Sequence, residues 1–216
     1  MKTVKLLVAS MVMGWILSVP CVMAQQDAPA DVQQAAVQGL QPFLDKIPAG
    51  SMEEFGFAAG DNLSAATLGA PFLLYTLTPS ALEQYRAGAA VTSLVTPTTA
   101  WYFPVLIAGQ TRAILVVDKL DNQWQAVSLG SAALAKELGR LGGQWKAAQG
   151  YHPMLIVVLQ AKQHFFTVPE KDSQNLTRLV TQGPMANSGP ADDYATLGTA
   201  ADVIEQLKPI VKDALK

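Results

Sequence analysis

Few side chains in this sequence could do acid–base chemistry near neutral pH. The only histidines are His152 and His164, and the hairpin predicted between them places them too far apart to share a site. Ser131 follows a glycine but lacks the G-x-S-x-G pattern that exposes a serine nucleophile, so we interpret it as a helix N-cap. The sequence therefore predicts a protein that is not an enzyme; a hydrolase using Ser131 or an acidic pair stays open as an alternative.

Motifs for cofactors and metals are missing from the sequence too. It has no phosphate-binding loop, no dinucleotide fingerprint and no H-E-x-x-H pair. Asp118, Asp121 and Asn122 could offer oxygen ligands to calcium, but their spacing lacks the twelve-residue EF-hand plan and indicates a hairpin turn. The adjacent acidic pairs Glu53-Glu54 and Asp192-Asp193 point apart on a helix or strand and indicate solvated surface. We expect no cofactor and no metal.

Aromatic side chains are the better candidates for binding. Trp101, Tyr102 and Phe103 stand side by side at the start of an apolar segment, and Trp124 lies in a later segment of the same predicted meander. Aromatic residues can line a binding groove, and they can equally fill a core. We predict a binding surface formed by these four residues, with core packing as the alternative.

The elements that would position these residues are mainly strands. Apolar segments at 71–77, 101–107, 111–117, 123–129, 153–160 and 164–168 indicate about six of them. Short connections make neighbours antiparallel. Pro104 cannot donate a ladder bond, which predicts an edge strand or a bulge. Both faces of the central strands are apolar, so each face should be covered.

Helices are predicted between and around the strands. Thr78-Pro79 and Ser131 begin two of them, and amphipathic helices lie at both ends of the mature chain, the first with Asp31 as N-cap. The N-terminal apolar stripe is Val32, Ala36, Leu40, Phe43 and Ile47, and the C-terminal stripe is Val203, Leu207, Ile210 and Leu215. We predict an α+β fold in which an antiparallel sheet of about six strands packs with helices.

The first 24 residues are typical of a signal peptide. Lys2 and Lys5 precede an apolar run too short to span a bilayer comfortably, and Ala24 ends a small-residue cleavage site. An uncleaved anchor or a lipid on Cys21 are the alternatives, the latter disfavoured by Pro20. We predict export to the periplasm or beyond the cell, with a mature chain that contains no cysteine.

Charge and composition bound the partners and the domains. Loss of the signal moves the formal charge from −2 to −4, without a basic cluster for nucleic acid. No later segment is long and apolar enough to cross a membrane. We predict one α+β domain over 25–168, a polar loop or linker over 169–198 and a C-terminal amphipathic helix over 199–216. That helix either docks on its own domain or serves as a partner-binding or surface-associated tail.

A resemblance appears along the meander. The succession LGAPFLLYTL, WYFPVLIAGQTRAILVV and NQWQAVSLG, followed by a capped leucine-rich helix, resembles the α+β modules of pro-segments of secreted bacterial cysteine peptidases and of related inhibitors. It covers about residues 68–141 and rests on the order of hydrophobic segments, so no functional residue is transferred. The resemblance implies a free-standing binding or inhibitory module.

These observations predict an exported, non-enzymatic bacterial protein. Its partner would be a protein or a peptide, bound at the edge of the sheet or on an aromatic surface beside it. An envelope carrier of a small apolar ligand, or a scaffold, is the alternative.

Overall fold

The computed structural model of the chain describes residues 27–146, 149–151, 153–168, 175–179 and 199–216. Its helices are α1 (Ala30–Leu44), α2 (Pro79–Gln84), α3 (Ala132–Gln144) and α4 (Ala200–Ala214). Its strands are β1 (Thr67–Leu68), β2 (Phe72–Leu77), β3 (Val95–Ile107), β4 (Gln110–Leu120), β5 (Gln123–Gly130), β6 (Met154–Val158), β7 (Gln163–Thr167) and β8 (Thr177–Leu179). The predicted α+β class is confirmed.

One mixed sheet runs through the described residues. Its strand order is β5-β4-β3-β2-β6-β7-β8, with β1 paired beside β2 on the same side of β3. Strands β2 and β6 are parallel, whereas the other pairs of named strands are antiparallel. The described sheet thus has more strands than the predicted number of about six, and the predicted antiparallel pairing holds for every named pair except β2 with β6. The parallel pair arises because β3 to β5 and α3 separate its two strands in the chain, which is enough for a crossover.

The meander of β3, β4 and β5 forms as predicted. Its two-residue turns, Ala108-Gly109 and Asp121-Asn122, have positive φ at both positions, as type I′ turns require. Asn and Gly tolerate this conformation well, and it matches the twist of the flanking strands. Strand β4 continues to Leu120, so the second connection is shorter than the sequence indicated.

Pro104 lies in the central strand β3 and not in an edge strand. The Gly69 amide donates to its carbonyl oxygen at 2.7 Å, and in a strand the nitrogen and the carbonyl of one residue point to the same side. The missing N–H of Pro104 therefore faces the gap between β1 and β2, where no ladder bond is required. The register against β4 shifts between Val105 and Leu106, but the extra residue there is Arg112 of β4, so the bulge predicted at Pro104 is not present in this pairing.

Three helices cover one face of the sheet, which we call the first face. Helix α1 packs over β4 and β5, while α2 and α4 pack over β2, β6 and β7. The apolar residues beneath α1 form one cluster, and those beneath α2 and α4 form a second. Leu73 packs against both clusters and joins them. The C-terminal helix thus docks on its own domain, and its buried stripe is Val203, Ile204, Leu207 and Val211. Ile210 and Leu215, which the sequence placed on that stripe, are exposed.

Helix α3 covers the opposite, second face. Its Leu134, Leu138 and Leu141 pack on a cluster that includes Ile114 and Leu155. Both faces are therefore covered, as the apolar strands predicted. Ser131 occupies the predicted N-cap position, and its carbonyl accepts a hydrogen bond from the Ala135 amide at 2.9 Å, but in its left-handed conformation its side chain makes no capping bond.

Other local predictions meet mixed outcomes. Thr78 caps α2 by accepting a hydrogen bond from the Ala81 amide, as expected. The N-cap of α1 is Pro29, and Asp31 lies inside the first turn. The predicted signal peptide and His152 lie outside the described residues. So does most of the predicted linker, of which the structure describes residues 175–179, including β8.

Candidate functional site

The structure does not bring the four predicted binding residues together. Trp101 and Phe103 project to the first face, where each is at most 4 % exposed. They pack beneath α1 in one cluster with Leu115 and Val117. Burial of a side chain of this size contributes roughly 2–3 kcal/mol to folding. These two rings therefore belong to the core, and a single contact surface from Trp101 to Phe103 does not exist.

Tyr102 projects to the second face, because neighbouring residues of a strand point to opposite sides. It is half-buried, and its ring centroid lies 6.3 Å from that of His164. Burial raises the pKa of Tyr102, and the Asp118 carboxylate raises it further. The phenol therefore stays neutral well above neutral pH.

Trp124 is the one member of the predicted set that lies in an edge strand of the described sheet. It is half-buried against the cluster of apolar residues beneath α1. The ammonium of Lys119, its cross-strand partner in β4, lies 4.9 Å from the centroid of a Trp124 ring. A cation over the ring face holds the indole beside the turn at Asp121-Asn122.

Strand β5 is an open edge within the described sheet, since it pairs only with β4. Its geometry follows from the two-residue turn, which makes Leu120 and Gln123 the closing hydrogen-bonded pair. Hydrogen-bonded and non-hydrogen-bonded pairs then alternate along an antiparallel ladder. The backbone N–H and C=O groups of Trp124 and Ala126 accordingly point away from β4, toward the open edge, whereas those of Gln125 point to β4.

This edge has few of the features with which proteins prevent strand pairing. Proteins protect edges with charged side chains, prolines, bulges or very short strands. Strand β5 reads QWQAVSLG, which contains neither a charged residue nor a proline. One irregularity is present, a register shift opposite Val116 and Val117. Four residues before it, Gln123 to Ala126, form a regular stretch.

A cleft of about 740 Å³ lies between the β3–β4 turn, the start of α3 and the segment after residue 52. Its walls carry the charged residues Arg112, Lys136 and Glu53. The Arg112 guanidinium binds Asp61 through two contacts of 2.9 and 3.1 Å, so its charge is already matched. Gly56, with φ of 92°, packs against the Arg112 carbonyl and Ala132 where a side chain would not fit. Charged side chains therefore form only part of the cleft wall, and most of the lining residues are uncharged.

His164 lies on the second face, in β7, opposite Val157 of β6 and Leu179 of β8. Both of its ring nitrogens are buried and have no hydrogen-bond partner in the part of the chain that the structure describes. Burial lowers the pKa of His164 below its ordinary value of 6.5. The imidazole is therefore neutral at neutral pH and is shielded from any substrate in solution.

The other polar residues singled out in the sequence do not assemble into a reaction centre or metal site in the described regions. Asp121 and Asn122 form the β4–β5 turn, while Asp118 belongs to strand β4. Glu53 and Glu54 are exposed. Within the described residues, no group of three potential ligands from His, Cys, Asp and Glu could hold a metal ion. Nor does any helix in these ranges have the length and apolar character needed to cross a membrane.

The sequence predicted binding at an edge of the sheet but did not identify β5 as that edge, although a signal for it was present. QWQAVSLG is the last strand of the meander and leads directly into a helix, so it gains no second neighbour from an adjacent hairpin. The contact between Tyr102 and His164 had no such signal, because 62 positions and several elements separate the two residues.

No protein-family model, no curated protein and no solved structure matches the chain. The resemblance to peptidase pro-segment and inhibitor modules therefore stays a prediction.

Proposed function

We propose that this protein is an exported, non-enzymatic module that binds an extended segment of a protein or peptide as an additional strand beside β5. The observation that carries this proposal is the open edge of β5, with the outward backbone groups of Trp124 and Ala126. Strand addition gains affinity from main-chain hydrogen bonds and selectivity from alternate side chains. The edge of β5 offers both the unpaired backbone groups and the alternate side chains that such binding needs.

The chemistry of β5 indicates what kind of segment would fit. The side chains of β5 are uncharged. A partner segment that is also uncharged can dock there without the cost of removing a charged group from water. The half-buried indole of Trp124 offers an apolar surface to a neighbouring apolar or aromatic side chain. We therefore expect a partner segment of about four to eight residues, extended and uncharged along its centre.

The rest of the molecule supplies a rigid support for such an edge. Helix α1 packs on β5, and Gly39 lets the helix approach so closely that an added Cβ would collide with the Ala126 side chain. An edge held in this way loses little conformational entropy on binding. The buried ring nitrogens of His164 and the already paired Arg112 support a binding role over catalysis.

Selection from a random peptide library displayed on phage would test the proposal. We expect the wild-type protein to enrich peptides with alternating apolar residues. Ala126→Pro removes one outward N–H and should weaken these peptides about tenfold, whereas Trp124→Ala should change the preferred side chain and retain main-chain binding. Absence of enriched peptides, or equal binding by a folded Ala126→Pro variant, would contradict strand addition.

Amide hydrogen exchange gives a control within the wild-type chain. A bound peptide should protect the amides of Trp124 and Ala126, which face the open edge. The Gln125 amide should change little, because it already donates to β4. Equal protection of all three amides would indicate general stabilisation and would contradict pairing at this edge.

The non-enzymatic part of the proposal needs a separate test. A screen with ester, peptide and glycoside substrates should give no turnover above that of the Ser131→Ala variant. Turnover by the wild type that this variant loses would establish the hydrolase alternative instead.

A further inference from the structure

The surroundings of His164 are unfavourable for a charged imidazole. Its cross-strand neighbours Val157 and Leu179 are apolar and almost fully buried. A neutral imidazole carries one donor and one acceptor, and here neither is satisfied within the described structure. Protonation would turn this uncharged group into a buried cation without a partner, which is much more costly.

No facing side chain in the described structure is placed to offset that charge. Strand β6 contributes no titratable group, and β3 contributes Tyr102, whose neutral ring is tilted against the imidazole. Asp118 of β4 acts on Tyr102, but burial is the sole cause that lowers the pKa of His164. In β8, Arg178 pairs with Phe165 and therefore projects to the first face.

Helix α3 and the segment after it bring the remaining ionisable groups of the second face. Glu137 and Arg140 lie 3.8 Å apart as an ion pair on α3. Tyr151 stacks edge-on against Trp145, with ring centroids 5.0 Å apart. These groups have partners of their own, and none of them contributes to the shift at His164.

Strand β8 is the weakest pairing beside this histidine. It has three residues and, among the strands that the structure describes, bonds only to β7; Leu179 is the residue directly opposite His164. Leu176, just before β8, is buried in the cluster beneath α2 and α4 on the first face. An isolated bridge joins Asn175 to Thr199. A short edge strand opens at less cost than a central one, because few contacts and bonds are lost.

We propose that protonation of His164 opens the β7–β8 pairing and uncovers the outer edge of β7. The imidazole gains water as β8 leaves, and Asn175 to Leu179 separate from the sheet while the other strands stay paired. The edge uncovered in acid carries His164, Phe165 and Phe166. An exported protein meets such changes of pH, so the device would make a second edge available only in acid.

A spin label on β8 would report this opening directly. We would attach it to Arg178→Cys, an exposed position, in a full-length Cys21→Ser background. The opened state should titrate near 6.5 and the closed state below it. The opening constant should therefore be flat above that pH and rise up to about tenfold per pH unit below it. A label on Gln125→Cys, exposed in β5, should stay unchanged.

Two histidine variants identify the responsible group. His164→Phe should abolish the pH response of the β8 label, and His152→Gln should retain it. The proposal is overturned if the β8 label does not respond to pH, if His164→Phe responds like the wild type, or if the β5 label responds equally. Should His164→Phe fail to fold, NMR titration of the wild-type imidazoles decides. One histidine must titrate together with the opening, and different midpoints overturn the proposal.

Discussion

The two edges of the sheet, as far as the described residues define it, are built in opposite ways. Strand β5 has eight residues without charge or proline and belongs to a continuous meander. Strand β8 has three residues, carries Arg178 and is held by the buried side chains of Leu176 and Leu179. A short strand with a charged residue is a common way to protect an edge. The molecule thus protects one edge and leaves the other ready to pair.

An edge strand can therefore be both open to pairing and firmly held. Strand β5 is open yet rigid, because the β4 ladder and α1 hold it. Strand β8 covers the outer edge of β7, but its pairing rests on a few contacts beside His164, whose ring nitrogens have no hydrogen-bond partner in the described residues. The open edge suits permanent binding, and the closed edge suits regulation.

Truncating one leucine at each edge should give the largest contrast. Leu179 in β8 is 2 % exposed, and Leu179→Ala should lower the free energy of unfolding by about 2–4 kcal/mol. Leu129 in β5 is half-buried, and Leu129→Ala should cost about 1 kcal/mol. Urea unfolding followed by circular dichroism measures both values. Equal costs would show that β8 contributes no more to stability than the open edge does.

A pair of helical glycines tests how tightly α1 holds β5. A Cβ at Gly39 would overlap the Ala126 side chain, whereas a Cβ at Gly142 in α3 would meet nothing within contact distance. Gly39→Ala should therefore destabilise the protein by about 1–3 kcal/mol. Gly142→Ala should stabilise it by up to about 1 kcal/mol through helix propensity. Thermal unfolding of the two variants provides the measurement, and a stabilising Gly39→Ala would mean that α1 can move away from β5.

The sequence predicted the elements of this fold better than their arrangement. Short apolar segments and turn residues located β3, β4 and β5, because the signals for a meander are local. The parallel pairing of β2 with β6 joins residues about 80 positions apart, such as Leu74 and Leu155. No local pattern encodes that choice. The exposed Ile210 has the same cause, since the direction of docking decides which of two overlapping helical stripes is buried.

The candidate site was harder to predict than the fold. Aromatic residue type suggested Trp101 and Phe103, yet alternation along β3 sends both to the core and Tyr102 to the opposite face. Their exposure depends on which strands and helices cover each face. An open edge is a property of a whole strand, so its useful signals are missing charges and missing neighbours.

Replacing His164 should sharpen the contrast between a pH-sensitive edge and an insensitive one. At neutral pH, His164→Phe should raise the free energy of unfolding by about 1 kcal/mol, because an unsatisfied buried polar group is lost. In the wild type, burial lowers the folded-state pKa below 6.5, so the unfolded chain binds more protons. This contribution to stability is present above 6.5 and is lost as pH falls through the folded-state pKa.

Urea unfolding at a series of pH values measures that difference. The gap between His164→Phe and the wild type should widen as the medium becomes more acidic, while carboxyl groups affect both proteins alike. A constant gap would mean that His164 keeps its ordinary pKa in the folded protein, and the two edges would then not differ in their response to acid.

The smallest effect is expected at the tip of β5, where Lys119 lies over Trp124. Lys119→Ala should reduce the free energy of unfolding by about 0.5 kcal/mol, the value for an exposed cation–π contact. The fluorescence of Trp124 should change clearly although the change in stability is small. Its ring, which is half-buried against the cluster beneath α1, loses the cation over its face. Lys162→Ala, at a position that contacts no aromatic ring in the described regions, is the matched control for loss of a lysine charge.

The affinity of Lys119→Ala for the enriched peptides separates two sources of binding. If that affinity is unchanged, the backbone edge of β5 carries the binding. A larger loss of affinity than of stability would instead place the Lys119–Trp124 pair in the contact with the partner.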